Sequence, residues 1–299
     1  MNRLSPNSGA RRLLRDAALL LAMSALGIVF VAPLLFMVIS SLKSDAAIFA
    51  NLNSWSAYLP SSDWSLRNYS AVFEKSELPA FLLNSSLIAA PIVVGGVLVN
   101  SMLAFSIARM RWRGRQPVLA LVVAMVIVPF EVIAIPLLSL VARLPWPGIE
   151  HGQLVMHTGW FNSLHVQVIP FLANAFCVFL FYQFFRDIPP ELDEAAKMDG
   201  AGPWTIYARI IMPNSGPVIA TAAIVLFISA WNQYLWPIMV IQGQAFRPVQ
   251  PGIQQFFGRT NSWGQIMAYA SVITLPVLAV FLLFQRQFVA SVAGSGVKG

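Results

Sequence analysis

Cysteine is almost missing: Cys177 is the single one in 299 residues. No disulfide can close within the chain, and no cysteine-based metal site can be built. Set in an apolar run, Cys177 reads as a small buried hydrophobe. Charge is also scarce, at 10% of residues against the ~25% of soluble proteins, while hydrophobic residues reach 58% against ~45–50%. These two values exclude an ordinary soluble domain and define an integral membrane protein. Nucleotide and catalytic signatures are missing too. Lys43, Lys75, Lys197 and Lys298 follow Leu, Glu, Ala and Val, so there is no Gly-Lys-Ser/Thr of a P-loop and no ATP site of that kind. Gly-x-Ser-x-Gly, His-Glu-x-x-His and Cys-x-x-Cys do not occur. Energy for any pumping must therefore come from a separate subunit.

What the chain has is long apolar runs. Six are long enough to cross ~30 Å of hydrocarbon as helices: near 17–42, 80–108, 117–141, 166–185, 217–241 and 265–284. Helices follow because an open sheet cannot satisfy its backbone in lipid. Four arginines precede the first run, as in a signal peptide. That run is uncharged over Ala17–Ile39, longer than the ~7–15 residues of a cleavable segment, so it reads as an uncleaved span.

The formal charge of +7 is explained by topology. Lys and Arg number thirteen on the side holding the N-terminus, the Arg109–Arg115 loop, the loop around 187–216 and the C-terminal tail, and six on the other. The positive-inside rule puts both termini in the cytoplasm. Arg109, Arg111, Arg113 and Arg115 then read as a topological anchor. A nucleic-acid surface would need a folded basic patch with stacking aromatics, which Trp112 alone does not supply.

Three stretches carry candidate chemistry. Glu131 is the one acidic residue inside an expected span, between Pro129 and Pro136, which break or kink that helix. An intramembrane charge is costly and points to function, though Glu131 can equally sit at the span's outer end without touching substrate. The loop 143–165 holds all three histidines, His151, His157 and His165. Their spacings do not share one helix face and no carboxylate cluster joins them, which argues against a metal site. Its role stays open, with a partner contact as one reading. Trp231, Asn232, Gln233 and Tyr234 open a Trp-Asn-Gln-Tyr-Leu-Trp-Pro segment in the fifth run. Amides there need internal partners, and amides beside aromatic faces suit a sugar's hydroxyls and C–H faces. Helix-packing glue is the plain alternative.

The most polar stretch is Glu191–Pro213, ELDEAAKMDGAGPWTIYARIIMP. Pro189 and Pro190 suit a helix start. Glu191, Asp193 and Glu194 favour its first turns through the helix dipole. Asp199-Gly200 stops it, Gly202-Pro203 starts a second helix, and Pro213 closes that one. The expectation is a helix-turn-helix knob outside the bilayer.

This stretch resembles the EAA loop of permease subunits of bacterial ABC importers. Glu194-Ala195-Ala196 is followed after three residues by Gly200 and after nine more by Ile210, Met212 and Pro213, with Met212 in place of the family's Leu. The Trp231–Pro237 segment, Asn68-Tyr69 with Asn84-Ser85, and the Gly294–Gly299 ending resemble carbohydrate and glycerol-phosphate permeases. The resemblance implies an all-α integral membrane fold of the type I importer kind, with six transmembrane helices (17–289), an EAA coupling loop (187–216), and cytoplasmic segments at 1–16 and 290–299. It implies no enzyme activity and no cofactor of its own. Its partners would be a second permease in a heterodimer, two ATPase subunits that use ATP and magnesium, and an extracytoplasmic substrate-binding protein, all at the bacterial inner membrane. Glu194, Ala195, Ala196, Asp199, Gly200, Ile210 and Pro213 become the ATPase-coupling residues. Glu131, Trp231, Asn232, Gln233 and Tyr234 are candidates for the substrate pathway. A mono- or oligosaccharide is the first substrate expectation and glycerol-3-phosphate the second. A membrane enzyme using Glu131 and the histidines, or a stand-alone channel or secondary transporter, is the alternative of another class.

Overall fold

The computed structural model describes residues 7–50, 52–60, 63–150, 153–257 and 261–296. Its described residues fall into two compact units, one from Met1–Ser76 with Gln255–Val272, the other from Glu77–Gln254 with Ile273–Gly299. His151 and the last three residues of the expected C-terminal tail lie outside the described residues, as do the first six of the N-terminal segment.

The first unit begins with α1 (Asn7–Ser40), whose Leu19, Leu20, Met23 and Phe30 are exposed, as lipid-facing residues should be. Short helices α2 (Asp45–Ala50) and α3 (Arg67–Lys75) follow. The polar residues here are structural. Asn68 donates to the carbonyls of Ser41 and Lys43 at 2.8 and 2.9 Å. Buried Lys43 donates to the carbonyls of Ser56 and Ala57 at 3.0 and 2.9 Å. Asp45 accepts from the N–H groups of Trp263 and Gly264 at 3.2 and 2.7 Å, satisfying donors that a helix start leaves orphaned. Trp55 and Trp64 stay exposed in this segment.

The second unit is built on α4 (Leu78–Arg109), which packs against two later helices through a small-residue face. A Cβ at Gly96 would come within 2.9 Å of the Leu226 side chain and 3.3 Å of the Leu172 carbonyl oxygen, so glycine is what permits the approach. Then come α5 (Arg115–Ile127) and α6 (Phe130–Val141), bent by 108° at Pro129. The expected span over 117–141 is thus two short helices. At 13 and 12 residues each reaches about 20 Å, too little to cross alone.

The loop after α6 adds a small sheet to the helical fold. Strands β1 (Pro145–Glu150) and β2 (Gln153–Thr158) pair antiparallel, with Trp146 opposite His157. The chain then runs through α7 (His165–Val168), a 3-10 turn, and α8 (Ala175–Asp187), where the Asn174 side chain caps α8 by accepting from the Cys177 N–H at 3.0 Å.

Next come α9 (Glu191–Met198) and α10 (Pro203–Ile206). The second arm does not stop at Pro213. It passes through a π turn (Tyr207–Ile211) and a 3-10 turn (Pro213–Ser215) into α11 (Gly216–Trp231). Nor does the fifth run form one helix over 217–241. It breaks after Trp231 and resumes as α12 (Leu235–Val240). The short α13 (Val249–Gly252) and the long α14 (Trp263–Gly296) complete the chain. Among the described residues, five helical segments are long and apolar enough to span a membrane, six if the bent α5–α6 pair counts as one.

Candidate functional site: a polar-aromatic cavity and an exposed helical knob

The two helix breaks at Pro129 and Asn232 converge on one cavity of about 540 Å³. Glu131 reaches it from the first turn of α6, where the helix dipole favours a carboxylate. Asn174, Asn232, Gln233 and Tyr234 supply polar groups, and Phe130 and Phe171 supply rings, backed by Trp236, which is 1% exposed and donates its indole N–H to the Val166 carbonyl at 2.9 Å. These three rings contact one another at centroid distances of 5.6 and 6.1 Å. At the break the Asn232 and Gln233 N–H groups still bond back to the Ile228 and Ala230 carbonyls at 3.1 and 3.4 Å, while residues 232–234 border the cavity. Asn232 accepts from Gln250 at 3.1 Å, and the Tyr234 hydroxyl accepts from Gln254. Gln233 Oε1 is shielded and without a hydrogen-bond partner among the described residues. Neither Lys nor Arg lines the cavity, so Glu131 is its one formal charge.

Four of the five pathway candidates therefore come together, and Trp231 does not. It is 3% exposed and its indole N–H donates to the Ile273 carbonyl at 3.0 Å, which is packing. Trp236, Phe130, Phe171 and Asn174 line the cavity and were not among the candidates. Pro129 and the second helix break are the sequence signals that could have found them.

The two described histidines, His157 and His165, do not form a site. His165 stacks on Trp146 at 3.8 Å with Trp160 edge-on, while His157 lies against Gly148 in the hairpin. Among the described residues no three His, Cys, Asp or Glu are grouped to hold a metal.

The first arm and the turn of the 191–213 knob have the geometry that their local signals predict, while the second arm runs on past Pro213. Gly200 adopts φ +79°, and the Gly200 and Ala201 N–H groups bond back to the Lys197 and Ala196 carbonyls at 3.0 and 2.9 Å. That is a Schellman stop. Glu194, Ala195, Asp199 and Pro213 are exposed, and Ala196 and Ile210 are half-buried. Leu192, Met198 and Trp204 add exposed apolar surface, Met198 at 89%. The anchored acid is Asp193 rather than Glu194. Its carboxylate lies 3.4 Å from Arg109, both side chains being 8% exposed. Arg109 also donates to the Ile188 carbonyl. Arg109 is thus a buried structural partner as well as part of a basic loop.

Bent apolar helices around a polar cavity, with a stiff helical knob displayed beside them, define a membrane transport subunit that works with a soluble partner. Residues 96–294 match the family described as binding-protein-dependent transport system inner membrane component, and the chain belongs to that family. It is similar to a probable ABC transporter permease of Bacillus subtilis, YurM, at 28% identity over 89% of this chain and 83% of that one. The arabinooligosaccharides permease AraQ of Halalkalibacterium halodurans is 29% identical, with 89% and 91% covered. The sn-glycerol-3-phosphate permease UgpE of Yersinia enterocolitica is 33% identical, with 72% of each chain covered. Among solved structures, a bacterial ABC transporter that imports the acidic polysaccharide alginate has a TM-score of 0.73 at 20% identity, covering 96% and 99%. A second, of that transporter with an alginate pentasaccharide-bound periplasmic protein, has a TM-score of 0.61 at 16% identity, covering 96% of each chain. The chain is therefore a multi-pass inner-membrane permease subunit of an ABC importer, a transport component and not an enzyme.

Proposed function

We propose that this chain forms half of the translocation pathway for an uncharged mono- or oligosaccharide. A second permease supplies the other half as a heterodimer. Two ATPase subunits, which bind the ATP and magnesium, dock on the knob. An extracytoplasmic binding protein delivers the substrate. Both termini, including 1–16 and 290–299, lie in the cytoplasm with the knob, following the Lys and Arg bias.

In this reading Ala195 and Ala196 let the ATPase surface approach closely, while Leu192, Met198 and Trp204 supply apolar contact. Asp199 and Gly200 set the angle between the two arms, and Ile210 and Pro213 close the knob toward α11. Closure of the ATPase pair moves the knob as a body and rocks the spans between inward- and outward-facing states. Glu194 is exposed and is available to the ATPase.

The observation that carries the substrate reading is the lining of the cavity. Ring faces of Phe130 and Phe171 suit a pyranose C–H face, and Asn174, Asn232 and Gln233 suit hydroxyls. Glu131 adds a carboxylate that accepts hydroxyl hydrogen bonds and repels anions. Two relatives divide on this point, since one is named for arabinooligosaccharides and one for glycerol-3-phosphate. A lining with a carboxylate and no cation favours the first kind of substrate.

The test is uptake into proteoliposomes carrying the assembled importer and its binding protein. A labelled neutral oligosaccharide is compared with sn-glycerol-3-phosphate. ATP-dependent entry of the sugar alone is expected. Entry of the phosphate ester alone would overturn the substrate reading.

A further inference from the structure

Helix α4 touches both the knob and the wall of the cavity. At its last turn, Arg109 holds Asp193 of α9 at 3.4 Å and the Ile188 carbonyl that ends α8. Two turns earlier, Ser101 meets the Tyr207 hydroxyl at 2.8 Å. Ser101 already donates its one proton to the Leu98 carbonyl at 3.1 Å, so Tyr207 is the donor. Between them the Phe105 ring lies 5.4 Å from the Tyr207 ring. Residues 101, 105 and 109 recur every four positions, so a single face of α4 grips both arms of the knob.

The same helix also reaches the cavity wall. Asn100 Nδ2 donates to the Leu172 carbonyl at 3.0 Å, and Asn100 Oδ1 accepts from the Asn174 N–H at 2.8 Å. Asn174 lines the cavity. Asn100 is 0% exposed, so these bonds are shielded from water.

The chain also leaves the knob along its own length. Ile188-Pro189-Pro190 joins α8 to α9 without helix. The second arm enters α11 through a π turn and a 3-10 turn. Beside these covalent routes, the Arg109 and Ser101 contacts give a push on the knob a sideways path into α4. The grip also has spare capacity: Arg109 Nε and Asp193 Oδ1 are buried without a partner among the described residues. A second arrangement of the pair can use them.

We propose that α4 is the rod that carries knob movement to the cavity, with Arg109, Asp193 and Tyr207 as positioning residues at the knob and Asn100 at the cavity. This rests on reading 191–213 as the ATPase-docking element. The physical basis is the unbroken stretch of α4 from Asn100 to Arg109, about 14 Å along the helix axis, with polar and aromatic contacts at both stations. Coupling through such networks typically changes by about 2- to 30-fold on single substitutions.

The experiment uses the complete importer in proteoliposomes and reads solute imported per ATP hydrolysed. Variants are Asp193→Asn, Arg109→Gln, Tyr207→Phe, Asn100→Ala and the exchanged pair Arg109→Asp with Asp193→Arg. ATPase subunits are expected to co-purify in normal amount with all of them. The import ratio is expected to fall about fivefold or more in Asp193→Asn and about two- to threefold in Tyr207→Phe, with partial recovery in the exchanged pair. Ratios within about twofold of wild type in Asp193→Asn, Tyr207→Phe and Asn100→Ala alike would overturn the proposal. Should the charge variants fail to assemble, Tyr207→Phe and Asn100→Ala decide it, since one removes a single hydroxyl and the other lies outside the knob. Failure of the underlying reading looks different: the wild-type importer would then keep its ATPases when the knob's exposed surface is altered.

Discussion

Replacing Gly200 isolates one physical variable. Nothing lies within 4 Å of a Cβ built there, so an added side chain meets open space. The cost comes from the backbone alone. At φ +79° an L side chain sits against its own carbonyl, at about 1–2 kcal/mol. Asn tolerates this region better than other residues, and β-branched Val tolerates it worst. The strain is relieved by opening the turn, which releases the hydrogen bonds from Gly200 and Ala201 to Lys197 and Ala196. A shift of about 1–2 kcal/mol changes the ratio of closed to open turn by about 5- to 30-fold. Import per ATP should therefore rank Gly, then Asn, then Ala, then Val, while the amount of protein in the membrane stays constant. The assay is uptake and ATP hydrolysis measured on the same proteoliposomes. Val behaving like Gly, or Asn behaving worse than Val, would refute the argument that the left-handed turn sets the coupling angle.

Three further outcomes are expected. Glu131→Gln should keep neutral-sugar uptake within about tenfold, whereas Glu131→Lys should lose it and raise competition by anionic saccharides, read in uptake-inhibition assays. Trp231→Phe should lower thermal stability by about 1–3 kcal/mol, because the Ile273 carbonyl loses its buried donor, and leave the pattern of transported sugars unchanged. Burial pushes the Lys43 ammonium below the ordinary lysine range, so unfolding takes up a proton between that lowered value and about 10.4. Stability should rise with pH across that window, and Lys43→Met should abolish the slope in denaturation of detergent-solubilised protein.

Features that depend on neighbouring residues were legible in the sequence. Lipid forces long apolar helices, so five spans and the broken third run could be placed from composition and prolines alone. The knob was legible because Pro189, Pro190, Gly200 and Gly202-Pro203 act on their own backbone. Features set by distant partners were not. Asn232 and Gln233 read either as pathway candidates or as glue within one helix, because Pro237, the breaker of that segment, lies downstream of the break itself. Trp231 and Trp236 share one segment and similar chemistry. Only the fold tells that Trp231 bonds the Ile273 carbonyl and Trp236 the Val166 carbonyl, both indoles packed away, while Tyr234 between them opens to the cavity. Arg109 sat among four alternating arginines, and counting charge could not show that its guanidinium is buried against Asp193. The hairpin at 145–158 was hidden by Pro145, Pro147 and Gly148, which read as loop. Proline in β1 is tolerated because the sheet has only two strands, so each is an edge.

The central claim is that a soluble ATPase drives this permease through the 191–213 knob. The most direct measurement is affinity capture of the tagged chain in mild detergent, comparing wild type with a Met198→Asp, Trp204→Asp double variant. Both side chains are exposed, so the variant should fold. The account predicts that wild type brings down a P-loop ATPase and a second permease, and that the variant keeps the permease but loses the ATPase. An ATPase retained by the variant, or a wild-type chain captured with no ATPase, would contradict it.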